Sequence, residues 1–140
     1  MTGYTVTPEQ ERHIREAFTK VPFAHLLGIE IGEIRRGEAT IHLEVRDELR
    51  QNNGVAHGGV VATLVDTAAA FAILTLLEPG QTTTTVDLTV HYMRPLLKGR
   101  ATARARVLRA GRRILTISAE VLDDQETPVA TALTSFIRLA

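Results

Sequence analysis

The sequence predicts an α+β fold in which an antiparallel sheet curls around one long central helix, with a short helix ahead of it. Two observations carry this. From Gly58 to Leu77 the chain is almost wholly apolar, rich in Ala and Leu and free of Pro, and too long for an ordinary strand. Six other segments read as strands, most of them by apolar and polar side chains alternating with a pleated period of two. One wholly apolar helix and six strands leave the helix as the filling of the sheet.

The elements follow in order. Thr7-Pro8-Glu9-Gln10 combines an N-cap, a Pro at the first helical position and a capping-box Gln, so a helix should run from about Pro8 to Lys20, with Pro22 stopping it. Two strands carry Ile29 and Ile31, then Ile41, Leu43 and Val45, around a turn at Arg35-Arg36-Gly37-Glu38. The long helix runs from about Gly58 to Leu77 and ends at Glu78-Pro79-Gly80. Thr82 to Met93 alternates Val86, Leu88, Val90 and Tyr92 against Thr85, Asp87, Thr89 and His91, until Pro95 and Gly99 break it. Strands over Ala101–Arg109, Ile114–Leu122 and Val129–Leu139 complete the set, with turns at Gly111 and Asp123-Asp124. The whole chain, 1–140, reads as a single domain, with 1–22 as an N-terminal helical extension.

Composition narrows the function. Cysteine is absent, which excludes disulfides and thiolate chemistry, and the five histidines show no metal-ligand spacing. No Gly-x-Ser-x-Gly elbow is present. The first residues lack the basic and apolar regions of an export signal, so the cytoplasm is the expected location. A membrane span is rejected because Asp66 at its centre would cost about 2.5 to 3.5 kcal/mol. Net charge is zero, yet Arg94, Lys98, Arg100, Arg104, Arg106, Arg109, Arg112 and Arg113, half of the 16 basic residues, fall in a stretch without an acid. A polyanion suits such a face; a solvated strand surface salt-bridged to acids elsewhere is the other reading. Nucleic acid is disfavoured, since no aromatic platform interleaves the arginines.

Asp66 is the only formal charge between Gly58 and Leu77, and a carboxylate in so apolar a helix must be used or satisfied. At 100° per residue it is flanked by Gly59, Ala62, Thr63, Ala69, Ala70 and Ile73, with Val60, Leu64, Phe71 and Thr75 on the far side. A hydroxyl of Thr63 or Thr67 is the nearest neighbour that could satisfy it without chemistry. His57 lies nine positions earlier, a rise of roughly 13 Å and a rotation of about 180°. The two cannot grip one atom within one chain. If they share a site, two copies must pack their helices antiparallel about a two-fold axis, each Asp66 facing the other chain's Gly58, which predicts a homodimer.

The run Gly54-Val-Ala-His57-Gly58-Gly59-Val60-Val-Ala-Thr-Leu-Val-Asp66-Thr67, followed by Thr85-Val-Asp-Leu-Thr-Val-His-Tyr92-Met-Arg-Pro95 and Gly99, resembles the hotdog-fold acyl-CoA thioesterases of the PaaI-like, phenylacetic-acid-degradation family. The resemblance extends from about residue 23 to the end. It implies a hotdog fold, a dimer commonly doubled to a tetramer, and hydrolysis of an aryl- or medium-chain acyl-CoA to acid and CoA. Asp66 then acts as general base on water or as nucleophile through a mixed anhydride. Gly58 N–H, at the start of a buried helix, polarises the carbonyl. His57 orients the thioester or the departing sulfur; the alternative is a histidine that merely caps the helix. Gln51, six residues before it, matches the site amide of relatives, with Asn52 and Asn53 as competitors in a loop turning at Asn53-Gly54. Thr85, or Thr84 one residue away, matches a hydroxyl that steadies the water. Gly59 and Thr67 join Asn53 as substrate contacts. Arg94, Lys98, Arg109, Arg112 and Arg113 are the candidates for the CoA phosphates. Ile73, Leu76, Leu77 and Phe23 are candidates for the acyl pocket. No cofactor is implied beyond coenzyme A within the substrate. The competing function is a non-catalytic acyl-CoA sensing domain on the same fold.

Overall fold

Thr7 opens the first helix through a reciprocal capping box: its hydroxyl accepts from Gln10 N at 3.1 Å, and Gln10 Oε1 accepts from Thr7 N at 2.9 Å. In the computed structural model, which describes residues 5–139, this helix, α1, spans Pro8–Thr19 and buries Ile14 and Phe18. Pro22 does more than stop it. As the first residue of a second helix, α2 (Pro22–Leu27), it sits where a missing N–H costs nothing. Arg46 reaches back to end α2, donating to Leu27 O at 2.6 Å and Leu26 O at 3.0 Å, carbonyls that the helix leaves without partners.

Six strands form one antiparallel sheet: β1 (Glu30–Arg35), β2 (Glu38–Glu44), β3 (Thr82–Tyr92), β4 (Arg100–Ala110), β5 (Ile114–Leu122) and β6 (Pro128–Leu139). Their order is β1-β2-β4-β5-β6-β3, so among the described residues β3 is an edge strand, paired with β6 alone. Ile41 and Leu43 of β2, Ala101, Ala103 and Ala105 of β4, and Leu115 and Ile117 of β5 point inward and are buried. The alanines of β4 leave room for the long helix α3 (Gly58–Leu74). Leu64, Val65, Ala68, Ala69, Ala72 and Ile73 of α3 are fully enclosed. Phe71 meets Phe18 edge-to-face with centroids 5.1 Å apart, which docks α1 onto the core.

The long helix stops three residues before the expected Leu77. Buried Thr75 ends it: its hydroxyl donates to Ala72 O at 2.7 Å and accepts from Gly37 N at 2.6 Å, tying the helix end to the β1–β2 turn. The open side of α3 also differs from the expected face. It carries Gly59, Ala62, Thr63, Asp66, Thr67, Ala70 and Leu74, whereas Ala69 and Ile73 turn into the core. This open stripe and the outer edge of β3, unpaired among the described residues, are two of the surfaces that the single chain leaves without cover.

His42 sits on β2 with its Nδ1 3.0 Å from Thr102 Oγ1. A Cβ at Gly32 would lie 2.6 Å from its Nε2, so the imidazole fills the place of a side chain there. Burial lowers its pKa below the ordinary 6.5, with Arg100 and then Arg104 adding to the effect and Glu30 opposing it. As pH falls, the unfolded chain therefore takes up this proton first. The contribution to stability is whole above about pH 6.5 and is lost as pH drops through the lower folded value. Melting temperature followed from pH 8 to 5 should fall further for the native chain than for His42→Gln; parallel curves would contradict this assignment.

Candidate active site

The start of α3 is held by three side chains. His57 is its N-cap, with Nδ1 accepting from Gly59 N at 2.9 Å, so the neutral ring carries its proton on Nε2. A Cβ at Gly59 would lie 3.0 Å from that Nδ1, so a side chain there would crowd the imidazole. Thr63 donates to Gly59 O at 2.8 Å, and the Tyr92 hydroxyl donates to Gly58 O at 2.7 Å. Gly58 N–H, the first donor of the helix, has no acceptor among the described residues.

A cavity of about 370 Å³ opens beside Gly58, with Gln51, Tyr92 and Arg94 in its wall. Gln51 and Gly58 are thus brought together, while Asn52 and Asn53 do not line this space. Gln51 Oε1 accepts from Asn53 N at 2.7 Å within the turn that closes at Gly54, leaving the Gln51 NH₂ as the group that can point outward. Arg50 braces this loop, donating to Gly54 O at 2.5 Å and to Leu97 O at 2.6 Å in the loop that follows β3. On the other side of His57 a second cavity, about 400 Å³, is lined by Phe23, Leu27, Leu49, Gly59 and Val60. The expected acyl-pocket residues are dispersed: Phe23 lies here, Leu77 faces a cavity against α1, and Ile73 is wholly buried.

Asp66 lies two turns further along α3. Its Oδ1 accepts from the Thr85 hydroxyl at 2.7 Å, and Oδ2 accepts from no group among the described residues. Strict alternation would have placed Thr85 outward with Asp87. A bulge between Thr85 and Asp87 turns it inward with Leu88, Val90 and Tyr92, while Val86 is left 56 % exposed. Thr84 stays exposed, and Thr63 and Thr67 do not bond the carboxylate. Thr67 stands half-buried beside Asp66 on the open stripe. Gly58 and Asp66 are about 12 Å apart along the helix axis, so within one chain they do not converge.

Residues 53–130, more than half of the chain, match the family model of the thioesterase superfamily. The chain belongs to that superfamily. It is a thioester hydrolase with the hotdog fold. The thioesterase is similar to the 1,4-dihydroxy-2-naphthoyl-CoA hydrolase of Listeria monocytogenes, at 27 % identity over 71 % of this chain and 81 % of the relative. It is similar as well to the medium/long-chain acyl-CoA thioesterase YigI of Salmonella typhimurium, at 26 % identity over 84 % and 85 % of the two chains. Among solved structures, a mutant of the phenylacetic acid degradation protein PaaI from Thermus thermophilus superposes with a TM-score of 0.78 at 33 % identity, covering 85 % of this chain and all of that one.

The basic residues of the thioesterase divide. Arg100, Arg104 and Arg106 stand across the strands from Glu44, Glu120 and Glu38, so these three belong to a charge-balanced sheet surface. Arg94 lines the Gly58 cavity and donates to Pro128 O at 2.6 Å, and exposed Lys98 is in the same loop. Arg112 and Arg113 are not with them. They occupy the β4–β5 hairpin, about 30 Å away along β4, too far to join Arg94 and Lys98 within one chain. No helix among the described residues is long and apolar enough to cross a membrane.

Tyr92 was legible as a strand aromatic in the thioesterase-like run, three positions before Pro95, with no role of its own. Its hydroxyl fixes the peptide that follows Gly58, because Gly58 O accepts from Tyr92 and Gly59 N donates to His57. Tyr92→Phe keeps the ring and removes one hydrogen bond of about 1 kcal/mol. Steady-state kinetics should show kcat lowered about five-fold, with KM nearly unchanged; a change confined to KM would make the residue a wall of the cavity only.

Proposed function

We propose that the protein works as a homodimer that hydrolyses aryl- or medium-chain acyl-CoA esters to free acid and CoA. The observation that carries this reading is the separation of the two halves of the chemistry. Gly58, whose N–H has no acceptor among the described residues, lines one cavity, while Asp66, held by Thr85, stands on the open stripe two turns away. An antiparallel copy of α3 would bring the partner's Asp66 to Gly58, and the small residues Gly59, Ala62 and Ala70 permit close approach. The names of the relatives support CoA esters of aryl and of longer aliphatic acids.

Each residue then has a task. Gly58 N–H and the helix dipole stabilise the oxyanion as water adds to the carbonyl carbon. Asp66 of the partner takes the proton from that water, and the Thr85 hydroxyl oxygen can accept the water's second hydrogen. The Gln51 NH₂ holds the carbonyl or the water. On collapse the C–S bond breaks and the CoA sulfur takes the proton that Asp66 removed from the water, while His57 Nε2–H hydrogen-bonds the departing sulfur. Gly59 and Thr67 flank the substrate path on the stripe, and Asn53, exposed in the Gln51 turn, is the outermost of the substrate contacts. Arg94 and Lys98 meet CoA at the cavity mouth. No resident cofactor or metal takes part, the site is suited to the cytoplasm where CoA esters occur, and two dimers pair into a tetramer.

Thiol release from a panel of acyl-CoA esters tests the proposal. Turnover by the native protein supports it, whereas tight acyl-CoA binding with no thiol released would assign the fold a sensing role. Single-turnover hydrolysis in ¹⁸O water separates the two routes for Asp66: label found in the protein carboxylate marks a mixed anhydride, and label only in the product acid marks general-base catalysis.

A further inference from the structure

One corner of positive charge has no part in the chemistry above. Arg109, Arg112 and Arg113 lie at the β4–β5 hairpin and Arg138 lies beside it on β6, where its N donates to Arg113 O at 2.8 Å. Arg138 Nε donates to Gly111 O at 3.1 Å and its Nη1 to Gln81 Oε1 at 3.2 Å. None of these four guanidinium groups forms an ion pair among the described residues, and the strand residues opposite them, Thr116 for Arg109 and Thr83 for Arg138, are uncharged. With no acid paired to them among the described residues, their charge is available to an anion.

Within one chain the corner cannot reach a ligand seated at Gly58, which lies at the opposite end of the sheet. The proposed dimer changes that. β3 runs antiparallel to α3, because Thr85 meets Asp66 at mid-helix and Tyr92 meets Gly58 at its start. A two-fold axis that carries the partner's Asp66 to Gly58 therefore carries the unpaired edge of its β3 alongside this one, the partner's Thr85 near Tyr92. Three residues further, the partner's Thr82 comes beside Pro95. Its Arg138 is one strand away from there and its hairpin two, or about 10 Å. Arg94 borders the same opening, and exposed Lys98 follows it in the same loop.

We infer that Arg112, Arg113 and Arg138 complete, in trans, the mouth that Arg94 and Lys98 begin, and that the joint site binds the phosphates at the nucleotide end of CoA. The inference rests on the dimer of the proposed function. It makes each active site a composite in which one chain supplies Gly58, Gln51 and Arg94, and the other supplies Asp66, Thr85 and the hairpin arginines. Arginine is suited to the task because its planar fork binds phosphate through paired hydrogen bonds.

The test uses the exposed hairpin pair, R112E/R113E. KM for an acyl-CoA should rise about ten-fold relative to KM for the same acyl group on N-acetylcysteamine, which has no phosphate; an unchanged ratio overturns the inference and leaves the hydrolase reading standing. Titration with CoA alone keeps the two apart from the other direction. If the native protein hydrolyses no thioester, the function falls, yet weaker CoA binding by R112E/R113E would still uphold the phosphate site. Placement in trans is read from heterodimers of an Asp66→Asn chain with an R112E/R113E chain, purified by two tags. If the arginines act with the Asp66 of their own chain, every active site in the mixture has the high KM. Recovery of the native KM would show that they serve the Gly58 of their own chain and would overturn the assignment.

Discussion

Replacement of Asp66 by Asn is expected to lower kcat for acyl-CoA hydrolysis by about 10²- to 10⁴-fold, the range for loss of a general base, with KM changed far less. The substitution is close to isosteric. Asn Oδ1 still accepts the Thr85 hydroxyl, now found at 2.7 Å from the carboxylate, so the bulged strand and the helix keep their contact. Since the native carboxylate has no ion-pair partner among the described residues, removing its charge strands no cation. Thermal stability should therefore stay the same or rise, which separates a catalytic defect from a folding defect. Thiol-release kinetics on the purified variant, beside its melting curve, decide the point. Activity within ten-fold of the native rate would remove Asp66 from the chemistry and return it to a half-buried carboxylate satisfied by Thr85.

Phe71→Ala is expected to destabilise the fold by about 3–5 kcal/mol, the usual cost of truncating a large aromatic side chain in a core. Phe71 is only 6 % exposed and packs edge-to-face on Phe18, so the cavity left behind would open beneath α1. Melting temperature should fall on the order of 10–15 °C. Phe18→Ala and the double variant complete a cycle, in which a coupling of about 0.5–1.5 kcal/mol reports the ring pair itself. Strict additivity would show that α1 is held by Ile14 and the capping box rather than by this contact. Because α1 and Phe71 stand away from Gly58 and Gln51, kcat at temperatures well below the transition should be little affected.

The strands and the long helix were legible because their signals are local. Alternation in Ala39, Ile41 and Leu43, or in Leu115, Ile117 and Ala119, depends only on which face meets the core, and a run such as Val60 to Leu74 has nowhere to go but inside. Asp66 was legible for the complementary reason, as a charge that this run cannot bury without cause. Other features were not. The end of α3 depends on Thr75 meeting Gly37, 38 positions away, and α2 depends on Arg46 closing its last turn from the far side of β1 and β2. Pro22 read as a stop because a proline that ends one helix and a proline that starts the next look alike without the partner that stabilises the second.

The same division runs through the site. His57, Gly58 and Asp66 could be singled out from residue type and spacing, since a helix start, a glycine and a lone carboxylate announce their chemistry locally. Whether Gln51 or a neighbouring Asn faces Gly58 was open in the sequence, and only the turn at Gly54 braced by Arg50 decides it. Thr85 and Thr84 were equivalent until the bulge turned one of them inward. Sequence alone therefore determined the strands, the two longer helices, the lone carboxylate of α3 and the thioesterase motif. Tertiary structure alone decided which groups touch: Thr85 on Asp66 from 19 positions away, Tyr92 on Gly58 from 34, and Arg112 far from Arg94. The physical reason is that patterning is set by each residue's own preference for water or core, whereas a contact is set by strand register, and a single extra residue in one strand changes which side chains meet.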